Sequence, residues 1–203
     1  YPESYKKQYV YGIWDEDLLA DKVVFDREYQ EKIKKHLRKP RYTAAGGLRV
    51  YEDFKPGTRY QIGVDPVEGS YQEKRSDEAA IVIVDLDTLE EVAVWTGKAP
   101  PDVVAEKAHD FACMYQDNRS KCQIVPEMNS AGSAMMLRLR QYDDLWVYQR
   151  EDLDKTTGKR LKRYGWRMTS QSKPALISHF QELTRLAEPI IHSEETAAQF
   201  RSF

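Results

Sequence analysis

Apolar residues along this chain fall into two rhythms, and the switches between them mark its elements. Residues 59–65, 79–85 and 91–95 are short runs rich in Ile, Val and Ala, separated by Pro, Gly and Asp-Thr turn signals. Such runs predict three strands joined as an antiparallel meander. Pro100 and Pro101 then open a stretch in which Val104, Ala105, Ala108, Phe111, Ala112 and Tyr115 recur at helical spacing. Residues 122–127 predict a fourth strand, 130–142 a helix and 145–149 a fifth strand. A polar turn at 154–159 and a return strand at 164–168 predict a charged hairpin. Residues 172–186 carry an amphipathic helical pattern, with Ser172 as cap and Pro174 in the first turn. A short strand at 189–192 and a helix from Glu194 close the pattern.

Ahead of the meander, 16–37 has helical spacing that Pro40 stops. Ala44-Ala45-Gly46-Gly47 reads as a flexible connection, and 48–51 is a short strand candidate. Residues 1–47 therefore read as a linker or arm and 48–203 as the domain proper. Three antiparallel strands followed by alternating helices and parallel strands predict an α/β fold. Its mixed sheet would carry helices on its faces, in the element order of ribonuclease H-like domains, with the charged β-hairpin as an insertion.

Composition narrows the function. Charged residues make up 32% of the chain and the formal net charge is −2, an ordinary globular balance that confines any nucleic-acid surface to a local patch. No apolar run reaches the length of a membrane span, so no membrane partner is expected. Cys113 and Cys122 lack zinc-type spacing and predict two buried thiols in a reduced, cytosolic protein. The four histidines, His36, His109, His179 and His192, do not cluster in sequence. Trp95, Trp146 and Trp166 are expected to anchor the core or an interface. Tyr1 in place of Met and the end at Phe203 predict a piece of a longer polypeptide.

The candidate chemistry lies at two strand ends. Ile62-Gly-Val-Asp65 and Ile124-Val-Pro-Glu127 are apolar strands that each stop at an acid. If these strands are neighbours, the carboxylates meet at one end of the sheet. Their mutual repulsion is about 4 kcal/mol at 4 Å and an effective dielectric near 20. A bound cation converts that repulsion into attraction, and an all-oxygen ligand set suits Mg2+ or Mn2+. Asp77, just ahead of the second strand, can fold back towards Asp65 as a third ligand. Asp85 and Asp87 sit at the opposite end and read as turn residues. The hairpin carries Lys155, Lys159, Arg160, Lys162, Arg163 and Arg167, with Lys173 opening the next helix. A basic finger of this kind can lie along DNA phosphates. No element that would read bases is evident, so sequence specificity is expected to be low.

Three segments carry a family likeness. Gly63-Val-Asp65-Pro-Val-Glu-Gly69, followed by Ser76-Asp77 and an apolar strand, resembles the first nuclease motif of the large terminase subunits of tailed phages. Pro126-Glu127-Met-Asn129-Ser-Ala-Gly132 resembles their second acidic motif. Gly165-Trp166-Arg-Met-Thr169 through Ser172-Lys173-Pro174 resembles the segment after their hairpin. The resemblance covers about residues 48–203. It implies a ribonuclease H-like nuclease that cuts concatemeric double-stranded DNA during genome packaging. Two metal ions would be held in part by Asp65 and Glu127, with Asp77 at an acidic position near the first. It further implies an N-terminal ATPase domain, a small terminase subunit and a portal on a procapsid as partners. The host cytoplasm, transiently at the portal, would be its location, outside the mature virion.

This sequence has no G-x-x-x-x-G-K-S/T phosphate loop. The family's last acidic motif would fall beyond Phe203, which predicts weak or absent cutting by residues 1–203 and a preference for manganese. Two other readings stay open on the residues alone. One is a ribonuclease H-like nuclease of resolvase or transposase type; the other is a docking module that grips DNA or a portal without chemistry.

Overall fold

The computed structural model describes residues 25, 27–67, 77–153, 158–186 and 189–202. Its first elements are α1 (Arg27–Lys34) and two short strands, β1 (Tyr42–Thr43) and β2 (Arg49–Val50). The meander follows as β3 (Tyr60–Asp65), β4 (Ala79–Asp85) and β5 (Glu90–Gly97). Then come α2 (Pro101–Met114), β6 (Gln123–Pro126), α3 (Ser130–Leu139) and β7 (Trp146–Val147). The hairpin is β8 (Gln149–Leu153) with β9 (Arg160–Tyr164), and α4 (Ser172–Leu186) and α5 (Glu194–Ser202) follow.

Seven strands form one mixed sheet in the order β1-β2-β5-β4-β3-β6-β7. The meander is antiparallel, while β6 and β7 run parallel to β3. That is the α/β arrangement expected from the element order. The core lies on one face of the sheet, because the odd positions of β4 and the even positions of β3 alternate with more exposed neighbours. Ile62, Ile81, Ile83 and Ile124 are fully buried there beneath Val104, Ala108, Phe111, Met135 and Leu139 of α2 and α3. Each fully buried aliphatic side chain contributes about 1.5–3 kcal/mol, so this layer is what holds β3 and β6 side by side.

A second, smaller cluster joins Tyr29 and Ile33 of α1 to Ile191, Ala197 and Phe200. The described part of the arm is thus packed against α5, and β1 extends the sheet edge by pairing with β2. The part of the predicted 16–37 helix before residue 25 lies outside the described residues. The Asp85 carboxylate accepts from the amides of Asp87 and Thr88, closing the expected turn.

Several local expectations change. The hairpin arms are 149–153 and 160–164, nearer the turn than 145–149 and 164–168. They carry charge on both faces, so they lack the apolar alternation that reveals a strand. The 189–192 strand is a single parallel bridge between Glu90 and Ile190. Trp95 is buried as expected, whereas Trp146 is 52% exposed because β7 is the edge strand. Cys122 is buried, but Cys113 is exposed: it lies one residue past Ala112 and so falls off the stripe of α2 that faces the sheet. Among the described residues no helix is long and apolar enough to cross a membrane.

Candidate active site

The parallel pairing of β3 and β6 runs Gln61↔Gln123, Ile62↔Ile124, Gly63↔Val125 and Val64↔Pro126. The next pair in that register is Asp65 and Glu127, and the Glu127 amide donates to the Val64 carbonyl at 2.8 Å. Side chains at equal register on parallel strands share a face. Two turns of the pleat back, the Gln61 amide donates to Gln123 Oε1 at 2.8 Å on that same face. Asp65 and Glu127 therefore meet at the carboxyl end of the sheet, on the face opposite the main core.

Their side chains lie close enough to act on one another. Crowding by the surrounding protein is the largest influence on Asp65 and pushes its pKa up, although the residue keeps contact with solvent. The interaction with the Glu127 side chain pulls it down, and the negative charge of Asp77 pushes it up again. Asp77 is thus close enough to act on Asp65 electrostatically. Asp65 and Glu127, offering oxygen atoms alone as donors from adjacent strand ends, suit a hard divalent cation of the Mg2+ or Mn2+ type, with Asp77 acting on Asp65 only through its charge.

Local chemistry fixes this end of the sheet. Asn129 caps α3 by accepting from the Gly132 amide at 2.7 Å, and its own amide nitrogen donates to the Pro66 carbonyl at 3.3 Å. One side chain so ties the chain after Asp65 to the chain after Glu127. The base of the hairpin is bound to the same place: Trp166 donates to the Pro126 carbonyl at 2.8 Å, and the Met128 amide donates to the Trp166 carbonyl at 2.6 Å. Gly165 makes that junction possible. Its φ is +69°, and an added β-carbon would lie 2.6 Å from the Pro126 oxygen and 2.5 Å from Met128 Cγ.

Two open grooves meet at Glu127. One, of about 490 Å³, runs over the sheet face and is lined by Gly63, Asp65, Val82, Val125, Trp166 and Leu176 among others. The second, of about 750 Å³, is strongly basic: Arg140, Arg150, Arg163 and Arg167 line it together with Glu127 and Asn129. Of the basic residues named from the sequence, Arg163 and Arg167 are in this groove. Arg163 pairs in register with Arg150, while Lys162 pairs with Glu151, so Arg160 and Lys162 project from the other face of the two-stranded sheet. Lys159 is exposed at the start of the return arm and Lys173 lies in the first turn of α4; Lys155 lies outside the described residues. Sequence reading missed Arg140, which caps the C-terminus of α3, and Arg150. Arg150 donates to the carbonyls of Tyr164 and Gly165 at 3.0 and 2.7 Å, so it also braces the hairpin base.

Solved structures of the large terminase nuclease from the thermophilic phage G20c have this architecture. One is 18% identical with a TM-score of 0.60, covering 89% of this chain and 81% of that chain. The same nuclease with bound magnesium is 19% identical with a TM-score of 0.58, over 86% and 79% of the two chains. With bound zinc it is 18% identical with a TM-score of 0.58, over 87% and 88%. No protein-family model and no curated protein sequence matches the chain. At this level of identity the likeness establishes the fold, that of a large-terminase nuclease.

Proposed function

We propose that this chain is the nuclease domain of a viral large terminase, a divalent-metal-dependent endonuclease that cuts concatemeric double-stranded DNA during genome packaging. The observation that carries the proposal is the register pairing of Asp65 with Glu127 at the carboxyl end of two adjacent parallel strands. The motif likeness around those two acids and the shared fold support it. Asp65 and Glu127 would hold the metal, and Asp77 would add negative charge to the same point. Magnesium or manganese, held there, supplies electrostatic stabilisation of the phosphodiester and activation of water, as a pair of ions about 3.5–4 Å apart does in related chemistry.

The protein's own contribution is placement. Asn129 and the Gly165–Trp166 junction fix the two strand ends, and Arg140, Arg163 and Arg167 line a groove that leads phosphates to Glu127. In this reading an ATPase domain of the same polypeptide, a small terminase subunit and the portal of a procapsid are the partners, and the host cytoplasm is the place of action.

The test is Mn2+ titration by calorimetry, run beside nicking of supercoiled plasmid, for the wild type, Asp65→Asn and Glu127→Gln. Mn2+ binding that disappears in the two variants is expected, and whatever weak nicking the wild type shows should disappear with it. A wild type whose Mn2+ binding is unchanged by Asp65→Asn would instead favour a docking module without chemistry.

A further inference from the structure

A second group of metal-ligand side chains lies at the other end of the sheet. Asp144 precedes β7, whose Trp146 is level with Gln123 of β6. It is therefore about six residues, or roughly 20 Å, from the level of Glu127. His109 and Cys113 stand four residues apart on one face of α2. His109 Nε2 is 3.7 Å from Cys113 Sγ and 3.4 Å from Asp144 Oδ1, and Cys113 Sγ is 3.9 Å from Asp144 Oδ2. A tetrahedral zinc ion with bonds of about 2.0 Å to nitrogen or oxygen and about 2.3 Å to sulfur has ligand-to-ligand edges of about 3.3–3.6 Å. The His109–Cys113 and His109–Asp144 separations are within a few tenths of an ångström of those edges, and Cys113 approaches the other Asp144 oxygen, so a small turn of the carboxylate would bring one oxygen within reach of both.

The surroundings also suit an ion. A metal-binding histidine commonly gives its second ring nitrogen to a carboxylate, which fixes the tautomer and leaves the other lone pair outward. His109 Nδ1 lies 3.1 Å from Asp110 Oδ1, on the side of the ring away from Cys113. The ring is stacked on Tyr142 with centroids 3.9 Å apart and planes within 12°, so it cannot swing freely. The Asp144 main chain is held by Lys121, whose ammonium donates to its carbonyl at 3.2 Å. Cys113 and Asp144 are both exposed, which leaves a path for an ion to enter and a fourth position for water.

We propose that His109, Cys113 and Asp144 form a second metal site, selective for zinc-class ions, with Asp110 positioning the histidine. A thiolate and an imidazole prefer Zn2+ or Co2+, whereas the acids at Asp65 and Glu127 prefer Mg2+ or Mn2+. The ion would fasten α2 to the segment that leads into β7. The proposal is independent of the nuclease reading, because no ligand is shared.

Cobalt titration tests it, since Co2+ bound to a thiolate shows a charge-transfer absorption in the near ultraviolet. The wild type and Asp65→Asn should both develop the band with one equivalent of Co2+ and lose it when Zn2+ is added. Cys113→Ser should show no band while keeping a native circular dichroism spectrum. Asp110→Asn should weaken Zn2+ binding, measured by competition with a chromogenic chelator, at least about tenfold. A wild type with no thiolate band would show the three groups to be only a hydrogen-bonded cluster, and a band that persists in Cys113→Ser would place the ion elsewhere; either result overturns the site.

Discussion

Gly132 lies so close to the main chain of Glu127 that a β-carbon built on it would overlap the Glu127 carbonyl oxygen. The first turn of α3 is thereby pressed against the strand end that carries the acid. Gly132→Ala must push the helix or the strand aside, although alanine is the better helix former. A backbone atom, unlike a flexible side chain, cannot yield cheaply. We expect a loss of about 2–3 kcal/mol, within the range for overpacking, and weaker Mn2+ binding from the displaced Glu127. Urea denaturation and metal titration measure the two effects, and a variant as stable as the wild type would contradict the close approach.

The raised pKa of Asp65 makes metal binding there pH-dependent. The pKa of Asp65 is raised in the folded state by crowding and by Asp77. A raised carboxyl pKa means that the folded protein holds its proton more tightly than the unfolded chain. The associated stability is present at low pH and is lost as pH rises through the folded pKa. Without metal, Asp65→Asn should therefore raise the melting temperature at neutral pH and leave it unchanged below the ordinary carboxyl value of 3.8. With Mn2+, the order should invert, because only the wild type gains from binding. The affinity of the variant should be at least about tenfold weaker, or ~1.4 kcal/mol. Scanning fluorimetry across pH, with and without Mn2+, checks both signs.

The strands were the legible part of the fold because β4 carries an unbroken apolar run, β3 and β6 carry short Ile- and Val-rich ones, and each is followed by a turn signal or an acid. The site was legible for the same reason: Asp65 and Glu127 stand out where such runs stop. What was hidden depends on register and on contacts distant in sequence. The hairpin arms at 149–153 and 160–164 are held by cross-strand pairs such as Arg160–Glu151 at 3.2 Å and Arg163–Asp152 at 3.3 Å, a pattern with no apolar signature. Arg140 and Arg150 gave no motif, because a groove is made by elements that the sequence does not place side by side. In sequence Cys113 reads as an ordinary buried thiol, because Asp144 meets it only in the fold, across the α2–β7 gap.

The hairpin's two faces should differ in their effect on DNA binding. Arg163 and Arg167 line the groove that reaches Glu127, whereas Arg160 and Lys162 project away from it. Each phosphate contact contributes about 0.9 to the slope of log affinity against log salt. Arg163→Ala with Arg167→Ala should lower that slope by roughly 1–2 and weaken binding on any sequence. Arg160→Ala with Lys162→Ala should change it less. Fluorescence anisotropy of a labelled duplex over a salt series measures both, and equal effects from the two pairs would disprove the assignment of the groove face.

Glu91 offers a test remote from the acids. Its side chain is only 1% exposed, and its Oε1 accepts from the His192 amide at 3.1 Å and the Ser193 amide at 2.7 Å, at the start of α5. Burial, the largest influence, raises its pKa above the ordinary 4.5, and the bonds from Thr196, Ser193 and His192 offset that only in part. By the same sign argument, the stability tied to this proton is lost as pH climbs through the raised value. Gln at this position still accepts from both amides and carries no charge. Glu91→Gln should therefore match the wild type near pH 4 and be equally or more stable at neutral pH. Glu91→Ala leaves two buried amides unpaired, at about 1–3 kcal/mol each, and should be destabilised at every pH. Thermal melts of both variants between pH 4 and 8 measure this, and a Gln variant weaker than the wild type only at neutral pH would reverse the sign and show that the buried charge stabilises the α5 junction.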